Sequence, residues 1–427
     1  MEKDQSLVLF YLVLWVITLV IHYRKRKSFD AGCFVLSTYV VYAISSYLLY
    51  DTSYYYFNPL PLKFFPFIYL FSMMLIGLLP VLKFDTINVT SIQQPSKKLI
   101  HAFCWIFIIS TLIHFPSAIR GIASGLSLIM SGGGQDIYNE SLDLVEQTGG
   151  GVSNLAAILS SAFSQIGFLL TIYYLTLKEH NKWIAVLLFL SCVMKMLNGI
   201  TLGQRGGIVE PLLVLIASYF LLKNYLKPYY RRIATISGTV MVALLMVPII
   251  YITISRFDNK FFSPTESTFY YLGIENINFN NYALDDNGIR YGDRTVPLFK
   301  RILGFDNVPK NYVERRTMYR NLKLNDESFS TYVGDMAIDF GPYIAVVIIC
   351  FFSFVFSIIS KVRGREYKFH QVLAVHFILY MCVLGGLKLF PYSDTGGNLK
   401  IIVFILSYFV FKYDNLRHNR LINDYDK

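Results

Sequence analysis

Residues 6–27 read SLVLFYLVLWVITLVIHYRKRK, an apolar run closed by the consecutive cations Arg24, Lys25, Arg26 and Lys27. A run of this length is compatible with a membrane-crossing helix, which needs about 17 to 25 predominantly apolar residues. The cations that close it are the kind retained on the cytoplasmic side of such a helix. Both the fold class and the direction of the chain follow from extending this pattern.

The same pattern recurs along the chain. Eleven apolar segments lie at about 6–23, 30–50, 65–82, 99–115, 152–177, 183–200, 207–222, 233–254, 338–359, 370–389 and 399–411. Hydrophobic residues make up 54% of the chain and charged residues 16%, against about a quarter charged in soluble domains. The expected fold is therefore an all-α polytopic membrane protein with about eleven transmembrane helices. The first segment lacks a basic flank before it and a small-residue cleavage site, so it reads as an anchor.

Alternation from Arg24–Lys27 inside also places Lys83, Lys97, Lys98, Lys178 and Lys182 inside. Lys223, Lys227, Arg231, Arg232, Lys361, Arg363, Arg365, Lys368 and the basic tail follow on the same side. The outer terminus and short outer loops hold only Lys3, Lys63, Arg120 and Arg205. This bias predicts an outer N-terminus and a cytoplasmic C-terminus. The net charge of +11 is then mostly cytoplasmic excess beside anionic lipid, and needs no nucleic-acid partner. Cys33, Cys104, Cys192, Cys350 and Cys382 all fall in apolar segments with no CxxC pair, a pattern that indicates neither a disulfide framework nor a zinc site.

The expected organisation is transmembrane helices 1–8 over 1–254, a large outer loop over 255–337, and helices 9–11 with the basic tail over 338–427. A glycine-rich outer loop at 116–151 brackets DIYNESLDLVEQ, whose apolar residues suit one face of a short surface helix. The 255–337 loop carries eleven basic and eleven acidic residues. Its aromatic and aliphatic content argues for a folded, mostly helical cap, since long structureless loops are uncommon in compact domains.

Basic residues away from the inner face are the first functional candidates. Arg205 lies in TLGQRGG (Thr201 to Gly207), a short outer turn with no adjacent acid. Lys195, Lys388 and Lys400 sit toward the outer ends of their segments. Ionisable groups at such depths are costly and mark functional sites unless they snorkel to the interface, an open alternative for Lys388 and Lys400. In the large loop, Arg256 follows the eighth segment, Arg290 and Arg294 lie in GIRYGDR, and Arg315, Arg316 and Arg320 cluster. Guanidinium forks suit phosphate oxygens and can stabilise the charge developing on a diphosphate leaving group without a metal. The alternative is pairing with nearby Asp285, Asp286, Asp293 and Glu314.

Outer carboxylates are candidates for activating a sugar hydroxyl: Glu140, Asp143, Glu266, Asp335, Asp339 and Asp394. Asp335 and Asp339, four apart in GDMAIDFGP, would share one helix face at the start of the ninth segment, where capping of the helix dipole competes with function. The Asp285–Asp286 pair is not a DxD metal motif, and no metal or cofactor is expected. His114 and His376 are the only histidines placed near the outer leaflet, and a structural role is the alternative for each. Tyr54, Tyr55, Tyr56, Tyr270, Tyr271 and Tyr291 suit sugar stacking, with an interface belt as the competing reading of the first three.

Taken together, the polytopic plan, QRGG (Gln204 to Gly207) between two spans, one large outer loop late in the chain and DFGP (Asp339 to Pro342) after it resemble the Wzy-type O-antigen and capsule polymerases. The resemblance implies the GT-C-like architecture of O-antigen polymerases and ligases, multi-pass in the bacterial inner membrane. It implies inverting transfer of a glycan from undecaprenyl diphosphate to a new lipid-linked repeat unit, with a chain-length regulator as partner. On this reading Arg205, Arg290 and Asp339 are catalytic, while Lys195, Arg256, Arg294, Arg315, Arg316, Arg320, Lys388 and Lys400 bind the lipid-linked substrate. The related ligases use a histidine in the large loop, which is absent here from 255–337. No outer arginine shows the arginine-x10-glycine spacing of some polymerases. A ligase, another lipid-linked-sugar glycosyltransferase and a flippase are the alternatives.

Overall fold

The computed structural model describes residues 2–52, 61–113, 152–201, 205–257, 263–324, 329–362 and 364–425. Among them, eight helices are long and apolar enough to cross a membrane. The protein is accordingly a helical membrane protein. The expected segments 99–115, 370–389 and 399–411 are helical too but fall outside that set. The first two form helices of 16 and 17 residues, and the third lies inside a 32-residue helix with a charged end. The surface helix expected within 116–151 lies outside the described residues, as do His114, Glu140, Asp143 and Tyr54 to Tyr56.

The chain divides into two compact units. The first comprises 1–87, 265–361 and 374–402. It begins with α1 (Glu2–Arg26), α2 (Ala31–Leu48) and α3 (Phe64–Leu82). Helix α1 ends at its basic cluster, where Lys27 turns left-handed at φ 51°. Asp30 then caps α2 by accepting a hydrogen bond from the Cys33 amide at 2.9 Å, which satisfies one of the amides a helix start leaves open. Tyr11, Trp15, Tyr39 and Phe67 pack edge to face or tilted in the core between these helices.

Of the expected large loop, the described residues from Thr265 onward fold into this first unit as short helices, joining α1–α3 in its core. Helix α9 (Pro264–Asn278) continues into a π turn at Phe279–Ala283; α10 (Pro297–Ile302), α11 (Tyr312–Met318) and α12 (Thr331–Phe340) follow. Helix α9 is held against α2: a Cβ on Gly273 would lie 2.4 Å from the Ser46 amide nitrogen, so only glycine permits the approach. Tyr332 lodges α12 between two further glycines. Its hydroxyl lies 2.3 Å from where a Cβ on Gly77 would be, and its own Cβ lies 2.7 Å from where one on Gly385 would be.

One expected element is corrected. The segment 338–359 is broken at Gly341, whose φ of 82° suits glycine and ends α12. Pro342 then starts α13 (Pro342–Ile359) at its first position, where the missing N–H costs nothing. Asp335 and Asp339 therefore sit on a separate buried helix before the span, and capping of that span is not the role of Asp335.

The second unit comprises 88–264, 362–373 and 403–427. It contains α4 (Lys97–Leu112), α5 (Val152–Tyr174), α6 (Lys182–Thr201), α7 (Arg205–Leu222) and α8 (Pro228–Phe257). Strands β1 (Ser91–Gln93) and β2 (Glu366–Lys368) pair in parallel, with Ile92 opposite Tyr367. Helices α14 (Phe369–Gly385) and α15 (Asp394–Tyr425) each run from one unit into the other.

Candidate functional site

The site is built from GIRYGDR and α12. Tyr291 and Gly292 take positive φ of 53° and 81°, turning the chain so that Arg290 and Arg294 face α12. The Arg290 amide donates to the Ile338 carbonyl at 3.0 Å, and the Gly292 amide donates to that of Asp339 at 3.3 Å. Arg290 Nη2 donates to Asp335 Oδ1 at 2.9 Å, and its Nε lies 2.6 Å from Asp339 Oδ1. The second approach is a close ionic contact off line for a hydrogen bond, since neither atom has a well-aligned partner.

Further donors complete the shell around the two acids. Arg294 Nε donates to Asp335 Oδ2 at 3.2 Å, and the Phe390 amide donates to the same oxygen at 2.9 Å. The Thr295 amide donates to Asp339 Oδ2 at 2.7 Å. All four charged residues are buried, the two aspartates at 0% exposure. Burial pushes the Asp339 carboxyl up, Arg290 pulls it down, and neighbouring Asp335 pushes it up again; the net direction is upward. Two arginines and two aspartates make a nearly neutral, locked cluster.

On the other side of Arg290 opens a cavity of about 420 Å³. Arg290, Arg315, Arg316, Arg320 and Lys323 line it together with Tyr319, and no acidic residue is among its described lining. Tyr319 donates to Asp293 Oδ2 at 2.6 Å and to the Arg290 carbonyl at 3.2 Å, bracing the wall. Lys300 pairs with the other oxygen of Asp293. Arg315 is buried and donates to Asp394 Oδ1 at 2.8 Å. Lys323 reaches Asp285 Oδ2 at 3.2 Å, while Arg316 and Arg320 are exposed. A cavity lined by so many cations is suited to a polyanion such as a phosphate or diphosphate.

The structure thus brings together Arg290, Arg315, Arg316 and Arg320 of the sequence-predicted residues. Arg294 and Asp339 stand behind the wall and do not line the cavity. Lys388 serves the same unit through its backbone, its carbonyl accepting from the Ser330 and Thr331 amides, and its Nζ lies 6.0 Å from the Phe329 ring. Lys400 donates to the Tyr380 hydroxyl at 2.9 Å. Arg205, Lys195 and Arg256 belong to the second unit.

Arg205 is the first residue of α7 and not part of an exposed turn; it is buried and donates to Thr253 Oγ1 at 3.3 Å. The small residues beside it have a packing role: a Cβ on Gly199 would lie 2.6 Å from the Gly207 carbonyl carbon. Of Arg256 only the helical backbone is described.

Sequence reasoning missed Lys323 and Tyr319, and it looked for the partners of Arg290 and Arg294 in the wrong place. Lys323 lies three residues beyond Arg320, so the basic cluster only needed extending. It also missed Glu275 on α9, which is fully buried with neither carboxylate oxygen hydrogen-bonded among the described residues. Burial drives that carboxyl well above its ordinary range. His22, Asp30 and Cys33 bring three potential metal-ligand atoms within 4.8 Å of one another. Asp30 there accepts from His22 Nε2 at 3.0 Å and lies 3.6 Å from Arg26 Nε; a guanidinium on the same carboxylate suits an ion pair better than a cation site.

No family model, no curated protein and no solved structure matches the chain.

Proposed function

We propose that this chain is a membrane glycosyltransferase. It polymerises undecaprenyl-diphosphate-linked oligosaccharide repeat units into O-antigen or capsular polysaccharide at the outer face of a bacterial inner membrane. The observation that carries this reading is the cavity where Arg315, Arg316, Arg320 and Lys323 converge on one face of Arg290. Charge-assisted hydrogen bonds from such a set favour a diphosphate most as it leaves, when its charge is greatest. In this reading Asp335 and Asp339 do not touch substrate; they are positioning residues that fix the plane of the Arg290 guanidinium. Arg205 is the second cationic element at headgroup depth.

An eleven-span topology with the N-terminus outside is part of the proposal. Contacts between segments assigned to one side support it. On the inner side, Arg26 donates to the Leu82 and Phe84 carbonyls, β1 pairs with β2, and Lys97 meets Glu179 at 2.6 Å. On the outer side, the Lys63 amide donates to Asn280 Oδ1 at 2.8 Å, and Thr331 meets Lys388.

The test is calorimetric titration of the purified protein with farnesyl diphosphate. Saturable binding is expected, weakened about tenfold for each of Arg316→Ala and Arg320→Ala, the worth of one hydrogen bond to a charged group. Binding unchanged in the double variant would remove the cavity from the site.

A further inference from the structure

In the second unit, α5, α6, α7 and α8 enclose a groove of about 520 Å³, a size typical of small-molecule sites. Its walls are almost wholly apolar: Leu175, Phe189, Phe220 and Met241 are representative. Its polar side chains are Thr171, Tyr219, Thr235, Ser237 and Thr239, and the Tyr219 and Thr235 hydroxyls meet at 2.9 Å. The lining comes from the C-terminal ends of α5 and α7 and from the N-terminal halves of α6 and α8. The groove therefore lies toward one end of the four helices, the end where Lys178, Lys223 and Lys227 stand in the connections and Lys182, Arg231 and Arg232 near the starts of α6 and α8.

That end also bears the marks of a headgroup layer. Trp183 at the start of α6 is 77% exposed, and Tyr229 at the start of α8 is 68% exposed; amphipathic rings concentrate at the membrane–water interface. Lys223 Nζ lies 5.1 Å from the ring of Phe220, which lines the groove, so a cation stands at its mouth. The one acid in these connecting loops, Glu179, is engaged by Lys97. Helix α8, which forms one wall, is largely unburied along its apolar length. Apolar walls under a rim of cations suit one occupant, since basic pockets between transmembrane helices on the cytoplasmic side bind anionic lipid headgroups.

We propose that this groove is a binding site for an anionic phospholipid, its acyl chain between α6 and α8 and its phosphate on the rim around Lys227 and Arg232. The site is separate from the arginine-lined cavity and does not depend on the glycosyltransferase reading. Gly238 supplies the decisive variant. It lines the groove, and a Cβ there meets nothing within 4 Å. Gly238→Phe should therefore fill the groove without disturbing the helix.

The experiment is native mass spectrometry of the full chain released from detergent, titrated with phosphatidylglycerol or with phosphatidylcholine of identical acyl chains. Phosphatidylglycerol should bind with a single saturable stoichiometry and about fivefold or more tighter than phosphatidylcholine, the worth of one basic residue at the surface. The double variant Lys227→Gln, Arg232→Gln should abolish that preference, and Gly238→Phe should abolish the bound lipid, each at an unchanged melting temperature. Equal binding of both lipids by the wild-type chain overturns the proposal, a measurement that needs no variant to fold. Undiminished phosphatidylglycerol binding in Gly238→Phe overturns it too, as does a dimer that Gly238→Phe disperses, which would make a second copy the occupant.

Discussion

Two pairs of arginines lie in one loop and are used in opposite ways. Arg290 and Arg294 are buried, and Asp335 and Asp339 account for their charge. Arg316 and Arg320, fewer than thirty residues on, are exposed on a cavity wall with no acid among its described lining. The first pair holds the loop in shape; the second lies on the wall of an open cavity. Arg290 belongs to both sets, since one side of it meets the carboxylates and another lines the cavity. The difference separates fold from function within one residue type, and it can be tested pair by pair.

The largest effect is expected where the buried pair is broken. Arg290→Ala leaves two buried aspartates without their main partner, a loss of about 3–5 kcal/mol. The variant should melt far below wild type in a detergent thermal-shift assay; an unchanged melt would show that the cluster does not organise the loop. Double replacement Arg290→Met with Asp339→Leu should recover part of that loss, because removing both members of a buried pair is far milder than removing one.

Next comes the exposed pair. Arg316→Ala with Arg320→Ala should leave the melt within about 0.5 kcal/mol of wild type, as surface substitutions do. Diphosphate binding should nevertheless fall steeply in the same preparation. A collapse of the fold in this variant would erase the distinction drawn here.

A smaller effect concerns acids for which burial outweighs any neighbouring cation. Glu275 contrasts with Asp335: it has no hydrogen-bond partner among the described residues, and burial holds its proton on. A carboxyl raised in the folded state binds more protons there than in the unfolded chain. Stability therefore falls as pH rises from the ordinary carboxylate range toward the folded value. Glu275→Gln should flatten that decline in melts taken across pH. Asp286, pushed up to about 6 chiefly by burial, should add a milder decline between about pH 4 and 6, which Asp286→Asn removes while its side-chain oxygen still accepts from the Leu324 amide. A flat wild-type profile over this range would contradict both assignments.

Much of the architecture could be read from the chain because apolar length and basic loops are local properties. The eight long helices and the break points at their basic ends needed only composition. The division at Gly341 was also written locally, in a glycine followed by proline, but the apolar run through Ile338 concealed it. The arginine pairing could not be read this way. Arg290 and Asp335 are 45 residues apart, and the nearer acids Asp285, Asp286 and Asp293 drew attention first. Two of those serve other partners, Asp285 with Lys323 and Asp293 with Tyr319 and Lys300. Which acid meets which arginine depends on where α12 is lodged, and that is decided by Tyr332 against Gly77 and Gly385. Arg205 lacks an adjacent acid in the sequence; one of its partners, Thr253, is 48 residues away and uncharged.

The most direct test of the central claim is reconstitution with a synthetic undecaprenyl-diphosphate repeat unit, read as a glycan ladder on a gel. The wild-type protein should build a ladder, and Arg316→Ala with Arg320→Ala should abolish it while melting normally. A ladder of undiminished length and rate in that double variant would contradict the assignment of the cavity, and no ladder from folded wild-type protein given its own repeat unit would contradict the polymerase itself.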